Sequence, residues 1–361
     1  MNVYRIAVIP GDGIGPEVIK EGIRALETIA SLDGGFVFEF QEFAWGCSEY
    51  LRTGRMMPED GLVQLLAFDA IYFGAVGDKS VPDHVSVWEL ILPIRRQFQQ
   101  YINLRPARKL PGVSGPLLRQ DGIDFVVVRE NTEGEYANIG GGMHEATAAE
   151  LVVQTSVFTK WGIERAGRYA FELARMRSGR LAVATKSNAM NYSMPFWNKV
   201  IRVLAAEYPD VQVEFAHVDA MAAYFVLRPH TFDVVLASNL FGDILTDLGA
   251  AVVGGLGLAP SANINPSREF PSMFEPVHGS APDIAGLGIA NPIAAIWTGV
   301  MMLDFLGETD AAFRLMQAIE QVLQAGNALT PDLGGTASCT ELADSVIRAL
   351  GAVEAYSAEE H

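Results

Sequence analysis

The sequence contains little cysteine, few basic residues and no long apolar run. Only two of its 361 residues are cysteine, and Cys47 and Cys339 form no CxxC or disulfide pattern, so we expect buried thiols in a reduced compartment. Lys and Arg number 26 against 43 Asp and Glu, and the net charge of -17 disfavours nucleic acid as a partner because it repels phosphates. Any bound anion must therefore be held by a local cluster of arginines.

We also expect neither an export signal nor a membrane-spanning helix from this sequence. The longest apolar run, IWTGVMML, is much shorter than the roughly 20 residues that a membrane-spanning helix needs. The amino terminus, MNVYRIAVIPGDG, reaches a turn before the apolar region of a signal peptide could be completed. These features predict a cytoplasmic protein.

What is present is a chain with 50% hydrophobic and 19% charged residues, large enough to form two lobes. Strand-like segments alternate with helix-like segments along it. The clearest pairs are YRIAVI before EVIKEGIRALETIA, RLAVATKSN before MPFWNKVIRVLAAEYP, and FDVVLASN before GDILTDLGAAV. This alternation predicts an α/β fold with largely parallel central strands.

Two Gly/Pro-rich stretches, near residues 110 and 260, are typical of places where a chain crosses between lobes. We therefore predict one domain of residues 1–100 plus 256–361 and a second domain of residues 101–255. A glycine-rich segment with strand-like ends predicts a protruding arm at about 134–160 in the second domain.

The turn PGDGIGPE after the first strand invites interpretation as a dinucleotide-binding fingerprint. Its Gly11, Gly13 and Gly15 follow the spacing GxGxG rather than GxGxxG. Asp33 lies at about the right distance for the ribose-binding acid, but it falls in a turn and not at the end of a second strand. We therefore predict that this is not a standard Rossmann domain.

The stretch SNLFGDILTDLG carries two aspartates among small and apolar residues. If the helix begins near Gly242, Asp243 and Asp247 project from the same face one turn apart. Two carboxylates that close favour a shared cation, and hard oxygen ligands suit Mg²⁺ or Mn²⁺. The alternative is an acid at the helix amino terminus beside a solvated one, and the stretch alone leaves both open.

Polar residues also follow other predicted strands. Arg95, Arg105 and Arg129 stand among apolar neighbours, and several arginines in an acidic protein suggest a small di- or tricarboxylate ligand. Each could instead form a surface ion pair. Lys186 could act as a general base and Tyr136 as a proton donor, but taken singly both residues, like Asp219, fit structural roles as well.

As an ordered set, these motifs resemble those of the β-decarboxylating dehydrogenases, the family of isopropylmalate, isocitrate, homoisocitrate and tartrate/D-malate dehydrogenases. The resemblance covers nearly the whole chain, through IPGDGIGPEV, NLRP, VVRENTEGEY, TKSNAM, HVDAMA, SNLFGDILTDLG and FEPVHGSAPDIAGLGIANP. It is closest to the tartrate/D-malate dehydrogenases, through YFGAVG, VPDHVS and LAPSANINP. The resemblance implies a two-domain fold with a mixed, largely parallel sheet, a cofactor-binding domain at 1–100 plus 256–361, and a substrate, metal and dimerisation domain at 101–255.

The resemblance also implies roles in a site shared between the subunits of a homodimer. The substrate carboxylates would be bound by Arg95, Arg105 and Arg129, with Trp88 also at the substrate. Mg²⁺ or Mn²⁺ would be bound by Asp243 and Asp247 together with Asp219 from the other subunit. Lys186, also supplied by the other subunit, would take the proton of the C2 hydroxyl, and Tyr136 would protonate the enol left after CO₂ departs. A need for K⁺ as activator is left open.

The same resemblance implies that NAD binds to a loop from His278 to Pro292. The expected cofactor-binding residues are Glu275, His278, Gly279, Ser280, Ala281, Asp283, Asn291 and Asn188. Asp283 matches the acid that holds the ribose hydroxyls in NAD-specific members, where it would repel a 2′-phosphate, so NAD is favoured over NADP.

The substrate's C3 substituent is read by the segment before Arg95 in this family. Here that segment offers Trp88, Leu90, Ile91 and Leu92, which disfavours a tricarboxylate. We therefore expect D-malate and tartrate, but Glu89 and Leu90 replace a usual glycine and serine, and Pro93 replaces a usual lysine. This departure leaves 3-isopropylmalate or another alkylmalate as the alternative.

Two interpretations come from other functional classes. A metal-dependent lyase or hydrolase without nicotinamide would produce no NADH. A non-catalytic carboxylate-binding protein would have no use for Lys186 and Tyr136 beside a metal site. The ordered set of motifs favours the dehydrogenase over both.

Overall fold

A computed structural model describes residues 1–358 of the chain. The chain divides into two compact units. The first comprises Met1–Gln100, Arg108–Leu118 and Ala250–His361, and the second Tyr101–Ala107 and Arg119–Gly249. The sequence-based division assigns residues 108–118 and 250–255 to the second domain instead, and the functional domain boundaries stay a prediction.

Strands and helices alternate along most of the chain. The strands are β1 (Asn2–Gly11), β2 (Phe36–Glu42), β3 (Ala70–Ala75), β4 (Ile102–Arg108), β5 (Asp124–Glu130), β6 (Gly134–Met143), β7 (Leu151–Val157), β8 (Arg180–Thr185), β9 (Gln212–His217), β10 (Val234–Ala237), β11 (Pro260–Ile264) and β12 (Ser272–Pro276). The α-helices are α1 (Gly15–Asp33), α2 (Cys47–Thr53), α3 (Gly61–Leu65), α4 (Asp83–Ser86), α5 (Leu92–Gln97), α6 (Lys160–Met176), α7 (Ser193–Ala205), α8 (Val218–Leu227), α9 (Asn239–Val253), α10 (Ile293–Leu306), α11 (Thr309–Ala325) and α12 (Cys339–Ala358). A π-helical turn, Val87–Ile91, joins α4 to α5.

The first unit is built on the strand order β2-β1-β3-β12-β11. All neighbours in it are parallel except β11 and β12, which are antiparallel. The apolar strand β3 is buried along its whole length, as expected of a strand covered on both faces. Helix α10 is apolar on all sides because it packs between other helices and the strands.

The second unit has the strand order β4-β5-β10-β8-β9, in which β5, β10, β8 and β9 are parallel neighbours. Helices α6 and α7 contact each other and the strands. A separate antiparallel hairpin, β6 and β7, occupies the segment in which the arm was predicted, and most of its residues are exposed.

The predicted α/β class with mixed, largely parallel strands is confirmed. Asp33 ends α1 and pairs with Arg314, so it does not serve as the acid of a Rossmann fingerprint. Both cysteines are free and buried, and burial next to Asp12 raises the pKa of Cys47 to about 12. Within residues 1–358, no helix combines the length and apolar character needed to cross a membrane.

Candidate active site

The helix that carries the two aspartates begins at Asn239, three residues before the predicted start at Gly242. The backbone N–H of Gly242 already donates to the carbonyl of Ser238, at 2.7 Å. Gly242 has another role, because a Cβ atom there would lie 2.6 Å from Cγ of Arg129. The glycine therefore leaves space for the arginine and does not mark the helix end.

Asp243 is the centre of a cluster in the second unit. Its Oδ1 accepts a hydrogen bond from Nη1 of Arg129 and lies 3.4 Å from Nη1 of Arg105. Its Oδ2 accepts a hydrogen bond from the hydroxyl of Tyr136 at 3.0 Å. Asp247 lies 3.6 Å from the same nitrogen of Arg105. The structure thus brings together five of the predicted site residues, with Asp243 at their centre.

Both arginines of the cluster are almost fully buried, at 8% exposure for Arg105 and 3% for Arg129. Buried guanidinium groups need partners, which the aspartates and two further residues supply. Thr246 accepts a hydrogen bond from Nη1 of Arg105 at 2.8 Å. Asn239 accepts two from Arg129, one from Nε at 3.0 Å and one from Nη2 at 2.7 Å.

Asn239 and Thr246 were missed by the sequence reasoning. The signal was present, because positions 239, 243, 246 and 247 are spaced so that all four lie on one face of α9. A search for every polar residue on that face, and not for carboxylates alone, would have found them.

The donor set fits a divalent cation. Two carboxylates on successive turns of α9 offer the hard oxygens that Mg²⁺ and Mn²⁺ prefer. Partial removal from water raises the pKa of Asp247, as does the neighbouring charge of Asp243, although more than half of the Asp247 side chain is exposed. A bound cation would relieve this repulsion.

Asp219 does not join these carboxylates within the chain. Among the residues that the structure describes, no three or more His, Cys, Asp or Glu side chains form a group able to hold a metal. Asp219 instead binds Nζ of Lys186 through Oδ1 at 2.8 Å, which lowers the pKa of Asp219. The two partners lie just beyond β8 and β9, which are paired strands, so the pairing brings them together.

In the first unit, Arg95 forms a buried ion pair with Glu275, with Nη2 2.7 Å from Oε1. Nδ2 of Asn263 donates to the same carboxylate oxygen at 2.7 Å. Glu275, predicted to bind the cofactor, therefore contacts a residue that was predicted to bind the substrate.

The segment before Arg95 differs from the expected lining of a substrate pocket. Leu90 is fully buried in a cluster with Phe98 and Phe73, and Leu92 is also buried. Trp88 is half-buried, with its ring 5.0 Å from Cζ of Arg96. Only Trp88 and Ile91 of the four apolar residues therefore remain partly exposed.

The predicted cofactor loop is anchored to the glycine turn after β1. The N–H of Ile14 donates to the carbonyl of Ser280 at 2.8 Å, and a Cβ at Gly13 would overlap that carbonyl. Gly13 also has a φ of +60°, which favours glycine. The PGDGIGPE turn thus supports the loop, a role that its sequence spacing alone did not reveal.

Glu17 contributes a second anchor that was missed from the sequence. Burial raises the pKa of its carboxyl group, while the backbone amides of Gly286 and Gly288 act against that rise. These amides belong to the predicted cofactor loop, so Glu17 on α1 faces the loop directly. In the sequence, the signal for this anchor was Glu17 itself, the last residue of the PGDGIGPE motif.

The chemistry of the loop fits a nucleotide. Nε2 of His278 is buried without a hydrogen-bond partner, and burial lowers the pKa of this ring, which favours the neutral imidazole. Asp283 and Gly279 are exposed, and Ala281 has a left-handed φ of 40°. Asn291 donates to Asp332 at 2.9 Å. Asn188 lies in the second unit, exposed in the turn after β8.

The comparisons with known proteins identify the family of the chain. The profile of the isocitrate/isopropylmalate dehydrogenase family matches residues 5–346. The chain belongs to this family. The family that was recognised from the ordered motifs, and the fold that it implied, are therefore confirmed.

Relatives in the isocitrate/isopropylmalate dehydrogenase family share about half of the sequence. The D-malate dehydrogenase [decarboxylating] of Escherichia coli (strain K12) is 53% identical over 358 residues, which cover 96% of this chain and 99% of the relative. The tartrate dehydrogenase/decarboxylase of Pseudomonas putida is 54% identical over 355 residues, with 95% and 96% covered.

A solved structure supports the same fold. The crystal structure of isocitrate dehydrogenase from Methylococcus capsulatus matches with a TM-score of 0.86 and 34% identity, and the match covers 96% of this chain and 99% of that one. The chain is accordingly an enzyme, an oxidoreductase of the decarboxylating dehydrogenase class that acts on hydroxy acids.

Proposed function

We propose that this enzyme oxidises and decarboxylates a malate-type 2-hydroxy acid, D-malate and tartrate first, with NAD and Mg²⁺ or Mn²⁺. The observation that carries the proposal is the cluster around Asp243. In this cluster two buried arginines and the phenol of Tyr136 meet the carboxylates of α9. The names of the relatives from Escherichia coli and Pseudomonas putida support D-malate and tartrate as the substrates.

The residues of the cluster supply binding and proton transfer in this proposal. Arg105 and Arg129 bind carboxylate groups of the substrate, for which their forked N–H groups are suited. Tyr136, whose hydroxyl contacts Asp243, delivers a proton to the carbon that loses CO₂. Asp243 and Asp247 hold the divalent cation, which when bound supplies Lewis-acid stabilisation of the negative charge that develops on oxygen.

The residues of the first unit serve the cofactor and the remaining carboxylate. Arg95 is proposed to bind substrate and Trp88 to contact it, and Arg95 in this structure is held by Glu275. His278, Gly279, Ser280, Ala281, Asp283 and Asn291 would hold NAD, which accepts the hydride from C2. Asp283 disfavours a 2′-phosphate by its charge, so NAD is preferred over NADP.

Lys186 and Asp219 are proposed to act in the site of a second subunit. The cluster around Asp243 contains a proton donor in Tyr136 but no basic side chain suited to removing the proton of the C2 hydroxyl. Lys186 would be that base, and Asp219 would be the third carboxylate at the cation. This assignment makes a homodimer the smallest active form.

The test is NADH appearance at 340 nm with Mn²⁺, K⁺ and NAD, measured against D-malate, L-tartrate, meso-tartrate, 3-isopropylmalate and isocitrate. An EDTA control and a preparation without K⁺ separate the cation requirements. We expect a metal-dependent rate led by D-malate or tartrate. A faster rate with 3-isopropylmalate would overturn the substrate assignment, and no rate with any of the five would overturn the function.

The alkylmalate alternative has one observation in its favour, the partly exposed side chains of Trp88 and Ile91. Leu90 and Leu92 do not support it, because both are buried in the first unit. The apolar lining available to an alkyl group is therefore smaller than the sequence suggests.

A further inference from the structure

We propose that Asn239 is a positioning residue, which holds the Arg129 guanidinium in the orientation that binds a substrate carboxylate. The inference rests on the proposed function, because it concerns the same substrate. Asn239 is not among the site residues that were predicted from the sequence.

The contacts of Asn239 use its whole amide group. Its Oδ1 accepts from Nε and Nη2 of Arg129, and its Nδ2 donates to the carbonyl of Glu133 at 3.1 Å. Asn239 is 2% exposed and Arg129 is 3% exposed, so water cannot replace these bonds easily. The amide orientation is determined as well, because a flipped amide would set its NH₂ against the guanidinium donors.

These bonds fix the direction of the guanidinium plane. With Nε and Nη2 committed to Asn239, Nη1 is directed to Asp243, and Cζ lies 5.7 Å from the ring centroid of Tyr136. A guanidinium binds a carboxylate well only when its fork is correctly oriented. Rotation of Arg129 would therefore weaken substrate binding even if its charge stayed in place.

Asn239 also connects α9 to the strand that carries Tyr136. Glu133 immediately precedes β6, and a Cβ at Gly134 would lie 3.5 Å from Cβ of Asn239. Gly134 has a φ of 74°, which favours glycine at this turn. One side chain thus sets both the arginine and the start of the strand leading to the phenol.

An aspartate would reproduce only half of this arrangement. Asp at position 239 keeps oxygens that can accept from Arg129, but it has no N–H for the carbonyl of Glu133. Asn239→Asp therefore separates the arginine contact from the strand contact, whereas Asn239→Ala removes both.

The experiment compares Asn239→Ala and Asn239→Asp with Asn198→Ala. Asn198 is a suitable control because it is a buried asparagine of the same unit, on α7, whose Oδ1 has no hydrogen-bond partner. Each variant is measured for KM and kcat with D-malate, Mn²⁺ and NAD, for KM of NAD, and for Tm.

Asn239→Ala is expected to raise KM for D-malate roughly 10- to 100-fold, the effect of losing hydrogen bonds to a buried charged group. KM for NAD should stay within about twofold of the wild-type value, as for a substitution away from the NAD loop. Asn239→Asp should lie between the wild type and Asn239→Ala. Equal KM values for D-malate in Asn239→Ala and Asn198→Ala would overturn the proposal.

A second measurement does not depend on turnover. The Arg129 Nε–H signal, assigned by its loss in Arg129→Lys, is followed by ¹⁵N NMR of arginine-labelled protein. We expect slow proton exchange in the wild type, Asn198→Ala and Asn239→Asp, and fast exchange in Asn239→Ala. Unchanged exchange in Asn239→Ala would show that Asn239 does not hold the arginine.

The two measurements separate the failure of the function from the failure of the inference. If the wild type oxidises none of the hydroxy acids, the proposed function is lost, while the NMR signal still decides whether Asn239 holds Arg129. If Asn239→Ala does not fold, Asn239→Ser takes its place, since a hydroxyl is too short to reach both nitrogens of Arg129.

Discussion

At the scale of single residues, several side chains of the site contact the same few buried charged groups. Asp243 contacts Arg129, Arg105 and Tyr136, so a substrate carboxylate that binds Nη1 of either arginine would displace this aspartate from it. A cation on Asp243 would make that displacement easier. The proposed metal and substrate sites are therefore linked through one carboxylate.

Asp247→Asn tests the second carboxylate. Removing it leaves Asp243 as the only acid on this face of α9, so the Kd for Mn²⁺ should rise at least about tenfold. Free Mn²⁺ measured by electron paramagnetic resonance gives the Kd directly. Asp210→Asn is the control, because that carboxylate pairs with Arg175 at an exposed position. Equal Mn²⁺ affinity in both variants would remove Asp247 from the metal ligands.

Asp233 offers a test of stability against pH. Burial opposes its ionisation, but hydrogen bonds from Ser178 and the charge of Arg177 outweigh it and lower the pKa of the carboxyl group. Its stabilising contribution is therefore full above the ordinary Asp pKa of about 3.9 and is lost as pH falls through the lower folded value.

We expect Asp233→Asn to reduce the free energy of unfolding at pH 7 by about 1.5–3 kcal/mol, because a neutral amide replaces the buried carboxylate that accepts from Arg177 and Ser178. Urea denaturation at pH 7 and at pH 3 measures the difference from wild type. The difference should be smaller at pH 3. A difference that stays constant or grows towards acid pH contradicts the assignment.

At the scale of elements, α9 shows how helical spacing assembles the site. Asn239, Asp243, Thr246 and Asp247 lie on one face, while Gly242 lets Arg129 approach the helix. Each of these four polar residues contacts a buried arginine, either Arg105 on β4 or Arg129 on β5. Helix α9 therefore contributes to the site mainly through the side chains on one face, and less through its amino-terminal end.

Gly242→Ala and Gly351→Ala form a matched pair of helical substitutions. At Gly242 the new Cβ would lie 2.6 Å from Cγ of Arg129, so overpacking should lower the free energy of unfolding by about 1–3 kcal/mol. At Gly351 on α12 no atom lies within 4 Å of the new Cβ, so the variant should gain about 0.5–1 kcal/mol from helix propensity. Urea denaturation compares them, and a stabilised Gly242→Ala would show that Arg129 moves aside freely.

At the scale of the whole molecule, exposed apolar residues suggest where a second copy would bind. Ile139, Met143, Val152 and Val153 are exposed on the β6–β7 hairpin, and Leu227 is exposed on α8. These surfaces, and the absence of a third acid grouped with Asp243 and Asp247 among residues 1–358, are consistent with the proposed dimer.

Mixing two inactive variants tests whether the sites are shared. Lys186→Ala and Asp243→Ala dimers should each be inactive, but after dissociation and reassociation the mixed dimer has one intact site. The mixture should then recover about a quarter of wild-type activity, as random C₂ pairing requires. Lys186→Ala mixed with Asp219→Ala is the control and should recover nothing. No recovery in the first mixture would mean that Lys186 acts within its own chain.

The sequence by itself determined the class of fold, the family and the main polar residues. The periodic spacing of apolar residues in strands and helices is visible in the sequence wherever one face of the element is buried. Asp243 and Asp247 share a face by helical spacing alone. The residues around Asp243 were therefore found as separate candidates before their contacts were known.

Only the tertiary structure decided which neighbour each of these residues meets. Asn239 binds Arg129 because β5 and β10 are adjacent, and α9 follows β10. Leu90, on the π-helical turn, and Leu92, at the start of α5, are buried in the first unit, and no linear pattern of apolar residues distinguishes this burial from the lining of a substrate pocket. Contacts between segments distant in sequence depend on strand order and packing, and these are properties of the folded chain.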